Sequence, residues 1–335
     1  MAARTLLSVM RDRSDPFEAG VISTFLDSCD ISKVLPMVTI NRTQIGHRRS
    51  NSVSTVGFRA RGERFGGVTE RSYDEVQDAT YPLGAEIDVD ITDMRDKSLT
   101  ENPMVKATRE AMEDMSYTYR HHFMNGDQAS EPDGFEGLIV RQQNLASSQT
   151  VYALDSANEL NISKANITST TARQFLDAWD DAQDALDGHK ADICLTTSSG
   201  IRAIKRCQRI LNLYRDVAPE EPRTDAGNRR QTSAQPLTGP NWTWDGVKIY
   251  DMGYRADQST NIIGTESFSA ATCTPFYLLK MGAPKYLYGI QQYEIEVSDT
   301  NLLDDNVTYR TTVDWPVGLH HVHPRFCAKL KGTVV

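Results

Sequence analysis

The most regular pattern of apolar and polar positions predicts a long helix over residues 101–124. Apolar or large side chains recur there at steps of three and four, at Met104, Ala107, Ala111, Met115, Tyr119 and His122. Thr100 or Asn102 can cap its start, with Pro103 in the first turn. The pair Asn125-Gly126 is a typical end. At 1.5 Å per residue, roughly 22 residues form a rod of about 33 Å, which is long for a globular protein.

A period of two precedes this helix and predicts a strand with two unlike faces. The apolar residues Ile87, Val89 and Ile91 alternate with the acidic residues Glu86, Asp88 and Asp90. Because successive side chains of a strand point to opposite sides, one face of this strand is apolar and the other is acidic.

Residues 46–73 are rich in glycine and arginine and hold few large apolar side chains. The alternation over residues 56–61 predicts an extended strand, and Gly66-Gly67 predicts the tip of a hairpin. A long two-stranded hairpin is only marginally stable by itself. We therefore expect this hairpin to protrude and to lie on a partner surface.

Residues 1–45 show no sustained periodicity, and Pro16, Gly20 and Pro36 interrupt them. The sequence predicts one short helix in this segment, near residues 17–29. We expect an arm that does not fold by itself.

The second half of the chain predicts alternating helices and strands. Two helices are expected, one capped by Thr171 and the next capped by Ser198 or Ser199. Strands are expected at residues 191–196, 246–250, 286–297, 308–313 and 327–330, with a bend at 316–318 before the last. The polar residues 215–241 predict a long loop.

Composition adds a charge asymmetry to this picture. The 335 residues carry 36 Lys and Arg against 45 Asp and Glu, a formal net charge of −9. That balance argues against a dedicated nucleic-acid binder, and the sequence has no run of about 18 apolar residues that would predict a membrane span. Residues 46–73 are basic, whereas residues 74–114 are acidic. The average therefore hides a basic loop followed by an acidic strand and helix.

The chain carries no recognisable catalytic or cofactor motif. The five cysteines are far apart and form no CxxC pair, so no zinc or disulfide framework is expected. The acidic residues 88–96 do not fit the glycine and glutamate positions of a calcium-binding loop. Residues 196–200 follow a strand but lack the glycine pattern of a phosphate-binding loop, so helix capping is the favoured interpretation. We therefore predict no enzyme activity and no cofactor.

Three histidines late in the chain are the best candidates for a metal site. His320, His321 and His323 are close in sequence, but neighbouring residues of a strand point to opposite faces. At best His321 and His323 converge, and no further ligand stands at a known spacing. A strand end beside Pro324 is the favoured interpretation. A metal-dependent hydrolase that uses these histidines with Asp314 stays an alternative.

Several short motifs carry a resemblance to a known family. Residues 123–127 and 132–138 have the sequences FMNGD and PDGFEGL, and residues 315–319 and 323–325 have WPVGL and HPR. Together with the predicted order of arm, hairpin, long helix and α/β region, they resemble the major capsid proteins of tailed bacteriophages, which have the Hong Kong 97 type fold.

The resemblance implies an α+β fold with five parts along the chain. They are an N-terminal arm (1–45), an extended E-loop hairpin (46–85), a peripheral domain with a long spine helix (86–135), an axial α/β domain (136–285) and return strands of both domains (286–335). The arm and the hairpin are then expected to pack on neighbouring subunits.

The same resemblance implies a structural shell subunit rather than an enzyme. Such a subunit self-assembles into pentamers and hexamers of an icosahedral phage head, which encloses double-stranded DNA without sequence-specific binding. The implied partners are copies of the chain and portal, scaffolding and decoration proteins, with no membrane. The implied location is the capsid of the virion, after synthesis in the cytoplasm of the host bacterium.

The charge asymmetry indicates how copies of the chain meet. We expect the E-loop arginines to lie over an acidic platform on the next subunit, in head-to-tail contacts that close into rings. The arginines are Arg59, Arg61, Arg64 and Arg71, and the platform is Asp88, Asp90, Glu110, Glu113 and Asp114. Some family members crosslink covalently through an E-loop lysine, but residues 34–96 contain no lysine, so no such crosslink is expected.

Two other protein classes stay open beside the hydrolase. An encapsulin-like compartment has the same fold but encloses enzyme cargo instead of DNA. An adhesive or tail structural protein is disfavoured, because the sequence shows neither repeats nor the pattern of β-rich fibres.

Overall fold

The computed structural model describes most of the chain. The described residues are 3–13, 16–50, 56–65, 72–96, 101–142, 149–211, 242–269, 271–298, 300–304 and 306–335. Four features singled out above lie outside them: the hairpin tip at Gly66-Gly67, the interface residue Arg71, the alternative helix cap Thr100 and the loop over 215–241.

Helices lie mostly in the first two thirds of the described chain, and strands make up most of the last third. The helices are α1 (Leu6–Asp12), α2 (Pro16–Ser28), α3 (Asp30–Val34), α4 (Ile91–Arg95), α5 (Pro103–Asn125), α6 (Leu138–Gln142), α7 (Ser169–Asp184) and α8 (Ser198–Ile210). The first strands are β1 (Met37–Thr39), β2 (Gln44–Ser50), β3 (Tyr73–Ala79), β4 (Tyr81–Asp90), β5 (Thr150–Tyr152), β6 (Leu160–Asn161), β7 (Ile193–Thr196), β8 (Trp242–Trp244) and β9 (Val247–Asp251). The remaining strands are β10 (Glu266–Phe268), β11 (Ala271–Cys273), β12 (Phe276–Leu279), β13 (Leu287–Gln291), β14 (Glu296–Val297), β15 (Asn301–Leu302), β16 (Thr308–His321), β17 (Cys327–Lys331) and β18 (Thr333–Val334). Within the described ranges, no helix combines the length and the apolar character that crossing a membrane requires.

The first six-stranded sheet is organised around β16. This strand pairs in antiparallel fashion with β4, β13, β14 and β15, and β1 joins β13 in parallel. The strand with two unlike faces is confirmed as β4, in which Ile87 and Val89 are buried and Asp88 is exposed. Ile91, expected on the same strand, instead begins α4.

The bend predicted at residues 316–318 is wrong, because β16 runs through them without interruption. Every second side chain of this part of the strand is almost fully buried: Val313, Trp315, Val317 and Leu319. Since alternate side chains of a strand share one face, their burial in one core keeps the chain extended past Pro316. The strand predicted at residues 308–313 is only the first part of β16.

The second six-stranded sheet has the order β5-β17-β12-β7-β9-β8, and both of its faces are apolar. Phe276 and Leu278 of β12 join a core with α7 and α8, whereas Tyr277 and Leu279 join the core that contains α5 and β16. Because alternate residues of one strand serve two cores, this sheet connects them.

The two helices on this sheet begin earlier than predicted. Thr168, not Thr171, caps α7, and Thr171 closes a capping box from inside the helix. Thr197, rather than Ser198 or Ser199, caps α8. In both cases a threonine stands at the last extended residue, where its hydroxyl accepts a hydrogen bond from an otherwise unpaired backbone N–H.

The long helix is confirmed as α5, with Asn102 as its cap. The Asn102 side chain accepts a hydrogen bond from the backbone N–H of Met104 at 2.9 Å, and Gly126 follows the last helical residue. Met104, Met115 and Tyr119 are buried as predicted. The buried face also includes Thr108, Met112, Ser116, Phe123 and Met124.

The N-terminal arm packs inside its own chain. The predicted short helix is confirmed as α2, and Phe25 on it is fully buried against Tyr119 and Trp315, with ring centres 5.9 and 5.4 Å away. Leu6 and Leu35, from either end of the arm, join the same core. The expectation that this segment rests on neighbouring subunits is therefore wrong for its described residues.

The hairpin is present, but its predicted distal strand is not. β2 and β3 pair in antiparallel register from Gln44↔Ala79 to Ser50↔Tyr73. Residues 56–61, predicted as a strand, are irregular and lead into a turn at Gly62, where φ is +99°. Every residue from 56 to 65 is exposed, so no core packing holds this segment extended.

Candidate assembly surfaces

The distal part of the hairpin presents large apolar side chains to solvent. Val56, Phe58 and Phe65 are 82 %, 109 % and 71 % exposed. Tyr73, at the end of β3, is 57 % exposed. Exposed apolar side chains that cluster in one segment mark sites of contact with another molecule.

The E-loop arginines interleave with these apolar side chains. Arg59 donates a hydrogen bond from Nη1 to the carbonyl oxygen of Glu63 at 2.9 Å, and its guanidinium lies 5.1 Å from the centre of the Phe65 ring. Arg61 and Arg64 are exposed, and within the described residues neither forms an ion pair. The hairpin segment therefore combines apolar surface with cations that its own described residues do not neutralise.

The strand half of the acidic platform is engaged within the chain. Arg310 donates to both carboxylate oxygens of Asp88, at 2.7 and 2.6 Å, and lies 2.8 Å from a carboxylate oxygen of Glu86. The Asp90 carboxylate caps α4 by accepting from the backbone N–H of Thr92 at 2.6 Å. Cross-strand pairing and helix capping thus account for these acids.

The helix half of the platform is exposed on α5. Glu110 lies 3.8 Å from Lys106, four residues earlier on the same helix. Glu113 and Asp114 are exposed and have no ion-pair partner within the described part of the chain. The platform acids without an ion pair among the described residues are therefore Glu113 and Asp114.

A buried polar cluster, which sequence reasoning missed, joins the base of the hairpin to the body. Asp78 of β3 is 4 % exposed, and its two carboxylate oxygens lie 2.7 Å from Nδ1 of His320 and 2.7 Å from Nη1 of Arg141. His47 of β2 lies against His320 with ring centres 4.7 Å apart, and its Nε2 is 2.7 Å from the carbonyl oxygen of Val322. Residues from four separate elements meet here, and no local sequence signal connects them.

Electrostatics keep Asp78 ionised in this cluster. Burial raises the pKa of the Asp78 carboxyl, but the hydrogen bond with His320 and the positive charge of Arg141 outweigh burial, so its pKa lies below the ordinary value. Arg141 is held in turn by a 2.9 Å hydrogen bond from Nε to the carbonyl oxygen of Glu136. Arg141 therefore positions the Asp78 carboxylate.

The histidines and Asp314 do not form the site that a hydrolase would need. Asp314 precedes His320 by six residues on one extended strand, a separation of about 20 Å, and its carboxylate accepts a hydrogen bond from the Tyr293 hydroxyl. His323 accepts from the backbone N–H of Arg325 and so caps the turn that follows. His321 adjoins His320 on the strand and points to the opposite face. The site that the hydrolase hypothesis requires, with Asp314 beside these histidines, is therefore not formed by the described residues.

The hydroxyls of residues 196–199 serve the fold. Thr197 accepts from the backbone N–H of Gly200 as the cap of α8, and its hydroxyl lies 2.8 Å from that of Ser199. Thr196 donates to the carbonyl oxygen of Pro275 at 3.2 Å. These contacts agree with the helix-capping interpretation.

The motif that follows α5 is explained by close packing of backbone on backbone. Gly137 donates a hydrogen bond from its N–H to the carbonyl oxygen of Gly126 at 2.8 Å. A Cβ at Gly137 would lie 2.5 Å from the backbone nitrogen of Gly126 and 2.5 Å from the carbonyl oxygen of His122. The Asn125 side chain donates to the carbonyl oxygen of Ile262 at 2.8 Å and so fixes the end of the helix. The glycines therefore let the loop fold back onto the helix end.

Solved structures match the chain over most of its length, although no family model and no curated protein does. The holo-SrpI encapsulin complex from Synechococcus elongatus matches with a TM-score of 0.57 and 12% identity, over 100% of this chain and 97% of that chain. The capsid of a native GTA particle matches with a TM-score of 0.56 and 11% identity, over 92% and 91%. The cyanophage A-1(L) capsid matches with a TM-score of 0.54 and 12% identity, over 89% and 90%.

These similarities establish the fold. The chain has the α+β, Hong Kong 97 type fold that the motifs and the order of elements indicate. The fold is common to an encapsulin and to capsids.

Proposed function

We propose that this chain, with its Hong Kong 97 type fold, is the major capsid protein of a tailed bacteriophage. It is a non-enzymatic structural subunit that self-assembles into the pentamers and hexamers of an icosahedral head around double-stranded DNA. The observation that carries the proposal is the distal hairpin, where exposed Phe58 and Phe65 lie beside Arg61 and Arg64. A surface of this kind marks a site of contact with another molecule, and in a shell that molecule is a second copy of the chain.

The charges of the hairpin and of α5 fit a head-to-tail contact. Arg61 and Arg64 are cations without partners among the described residues, and Glu113 and Asp114 are matching anions on another element. A contact between two different surfaces of identical subunits generates rings when the rotation closes. Each exposed ion pair contributes about 0–1 kcal/mol, so the charges set register and orientation, while apolar contact contributes most of the affinity.

The fold is compatible with both a phage head and an encapsulin, so the choice between them depends on the sequence motifs, which favour a phage head. The motifs at residues 123–138 and 315–325 resemble those of phage capsid proteins. The proposal therefore includes the virion as the location, and portal, scaffolding and decoration proteins as partners of the assembled head. Particles purified from the infected host should contain double-stranded DNA; particles that contain an enzyme cargo and no DNA would favour the encapsulin.

Charge reversal on the hairpin tests the proposed contact. The double variant Arg61→Glu, Arg64→Glu should stay folded but fail to form shells, because its hairpin would face the acids of α5 with like charge. The matched control Arg61→Lys, Arg64→Lys keeps both charges and should assemble. Negative-stain electron microscopy reports particles, and circular dichroism reports folding. Normal particles from the charge-reversed variant would contradict the contact.

A further inference from the structure

A cluster of two histidines and one aspartate lies where the hairpin joins the body of the protein. His47 comes from β2, Asp78 from β3 and His320 from β16. One potential ligand atom of each lies within 4.8 Å of those of the other two. From this geometry we propose that the three side chains bind one divalent metal ion of the zinc class.

The donor set and its burial fit such an ion. Two imidazole nitrogens and one carboxylate oxygen are the ligands of many zinc sites that keep a fourth position for water. His320 and Asp78 are 2 % and 4 % exposed, and His47 is half-buried. The cluster is thus sheltered from bulk solvent, and His47 is its most exposed member.

The surrounding hydrogen bonds orient the three side chains, as residues that hydrogen-bond to the ligands do in known metal sites. The carbonyl oxygen of Val322 lies 2.7 Å from Nε2 of His47, which assigns Nδ1 as the ligand atom of that ring. Arg141 holds one oxygen of Asp78 at 2.7 Å, which assigns the other oxygen to the ion. Backbone carbonyls and charged side chains in these roles fix ring orientation and carboxylate position.

For His320 and Asp78, metal binding needs only a small local adjustment. Nδ1 of His320 lies 2.7 Å from the carboxylate oxygen of Asp78. Two ligands of a tetrahedral zinc ion lie about 3.3 Å apart, given bonds of about 2.0–2.1 Å, so this pair must separate by about 0.6 Å. The ion replaces their hydrogen bond, and the proton between them leaves to solvent.

A bound ion would connect three strands that are distant in sequence. β2 and β3 form the hairpin, and β16 is the central strand of the first sheet. The ion would therefore fix the direction in which the hairpin leaves the body. This inference stands apart from the proposed function, because it concerns one chain whether or not shells form.

Titration of the untagged, metal-free protein tests the site. After dialysis against a chelator, Co²⁺ should bind at one ion per chain and give the visible absorption of a tetrahedral nitrogen–oxygen site. Zn²⁺ should displace it, with calorimetry giving the same stoichiometry. His47→Ala removes a half-buried ligand and should weaken Zn²⁺ binding by roughly 100-fold or more. Loss of a residue that only orients a ligand costs about 10–100-fold in metal affinity, and loss of a ligand itself should cost at least as much.

Two further variants keep the test decisive. His320→Gln retains a hydrogen-bonding side chain beside Asp78 and should lose the ion while circular dichroism stays native. His323→Ala removes a histidine three residues away that is outside the cluster, and it should bind Zn²⁺ as the unmodified protein does. Absence of stoichiometric Co²⁺ and Zn²⁺ binding would overturn the proposal, as would equal Zn²⁺ affinity of the His47→Ala variant.

Discussion

The N-terminal arm and the distal hairpin differ in what covers their aromatic side chains. Phe25 of the arm is fully buried between Tyr119 and Trp315. Phe58 of the hairpin is fully exposed, and Arg59 beside it donates to the carbonyl oxygens of Ala60 and Glu63 and lies over Phe65. The same residue type thus belongs to the core in one segment and to the surface in the other.

The spacing of apolar residues explains this difference. On α2 the buried side chains recur at helical steps, at Val21, Ile22, Phe25 and Leu26, so they form one face that α5 covers. In the hairpin, glycines and arginines separate Val56, Phe58 and Phe65, and these side chains share no face that the body covers. Helical spacing therefore indicates a segment completed within the chain, whereas isolated aromatics among arginines indicate one completed by another molecule.

Truncation of the buried phenylalanine should have the largest effect on stability. Phe25→Ala leaves a cavity between two aromatic rings and should lower the free energy of unfolding by about 3–5 kcal/mol. Phe58→Ala, the matched change in the hairpin, should alter it by no more than about 0.5 kcal/mol. Urea unfolding of the unassembled chain measures both. Equal losses in the two variants would remove the distinction between arm and hairpin.

Mutations at the base of the hairpin should lower the free energy of unfolding strongly, as mutations in the arm do, whereas mutations in the distal part of the hairpin should not. Arg141→Met leaves Asp78 buried without its cation and should cost about 3 kcal/mol of unfolding free energy. The control Arg48→Met breaks an exposed pair with Glu75, 3.8 Å apart, and should cost less than about 1 kcal/mol. The same urea experiment compares them. A loss as small in Arg141→Met as in Arg48→Met would show that the buried cluster does not anchor the hairpin.

The smallest effect on stability should accompany a clear effect on assembly. Phe58→Ser should leave urea unfolding unchanged within about 0.5 kcal/mol. Burial of a phenylalanine contributes about 1.5–3 kcal/mol, so the concentration needed for assembly should rise by about tenfold or more. Light scattering against protein concentration measures this threshold, with Phe58→Leu as the control that keeps apolar contact. An unchanged threshold would mean that Phe58 stays exposed in the shell.

Local signals were enough to predict much of the fold. The cap at Asn102 and the glycine at position 126 mark the beginning and the end of α5, and the alternation at Ile87 and Val89 identifies β4. These signals act over a few residues, so they are visible in one sequence. The bend predicted near Pro316 was wrong because burial of alternate side chains by the rest of the core outweighs the local tendency of proline and glycine to turn.

The candidate site depended on contacts that the sequence does not display. Asp78 and His320 are 242 positions apart, and packing of β3 of the hairpin against β16 brings them together. Asp88 was predicted as part of the acidic platform because of its charge. Arg310, more than 200 residues later in the chain, donates to both of its carboxylate oxygens. Charge patterning therefore predicted a surface of the right sign, while long-range strand pairing decided which acids it contains.

Cryo-electron microscopy of the expressed full chain tests the central claim most directly, because it shows what covers the hairpin. Our proposal predicts closed icosahedral particles in which residues 56–65 lie on an adjacent subunit, with Arg61 and Arg64 facing Glu113 and Asp114. A monodisperse small oligomer, or a shell in which residues 56–65 fold back onto their own chain, would contradict it.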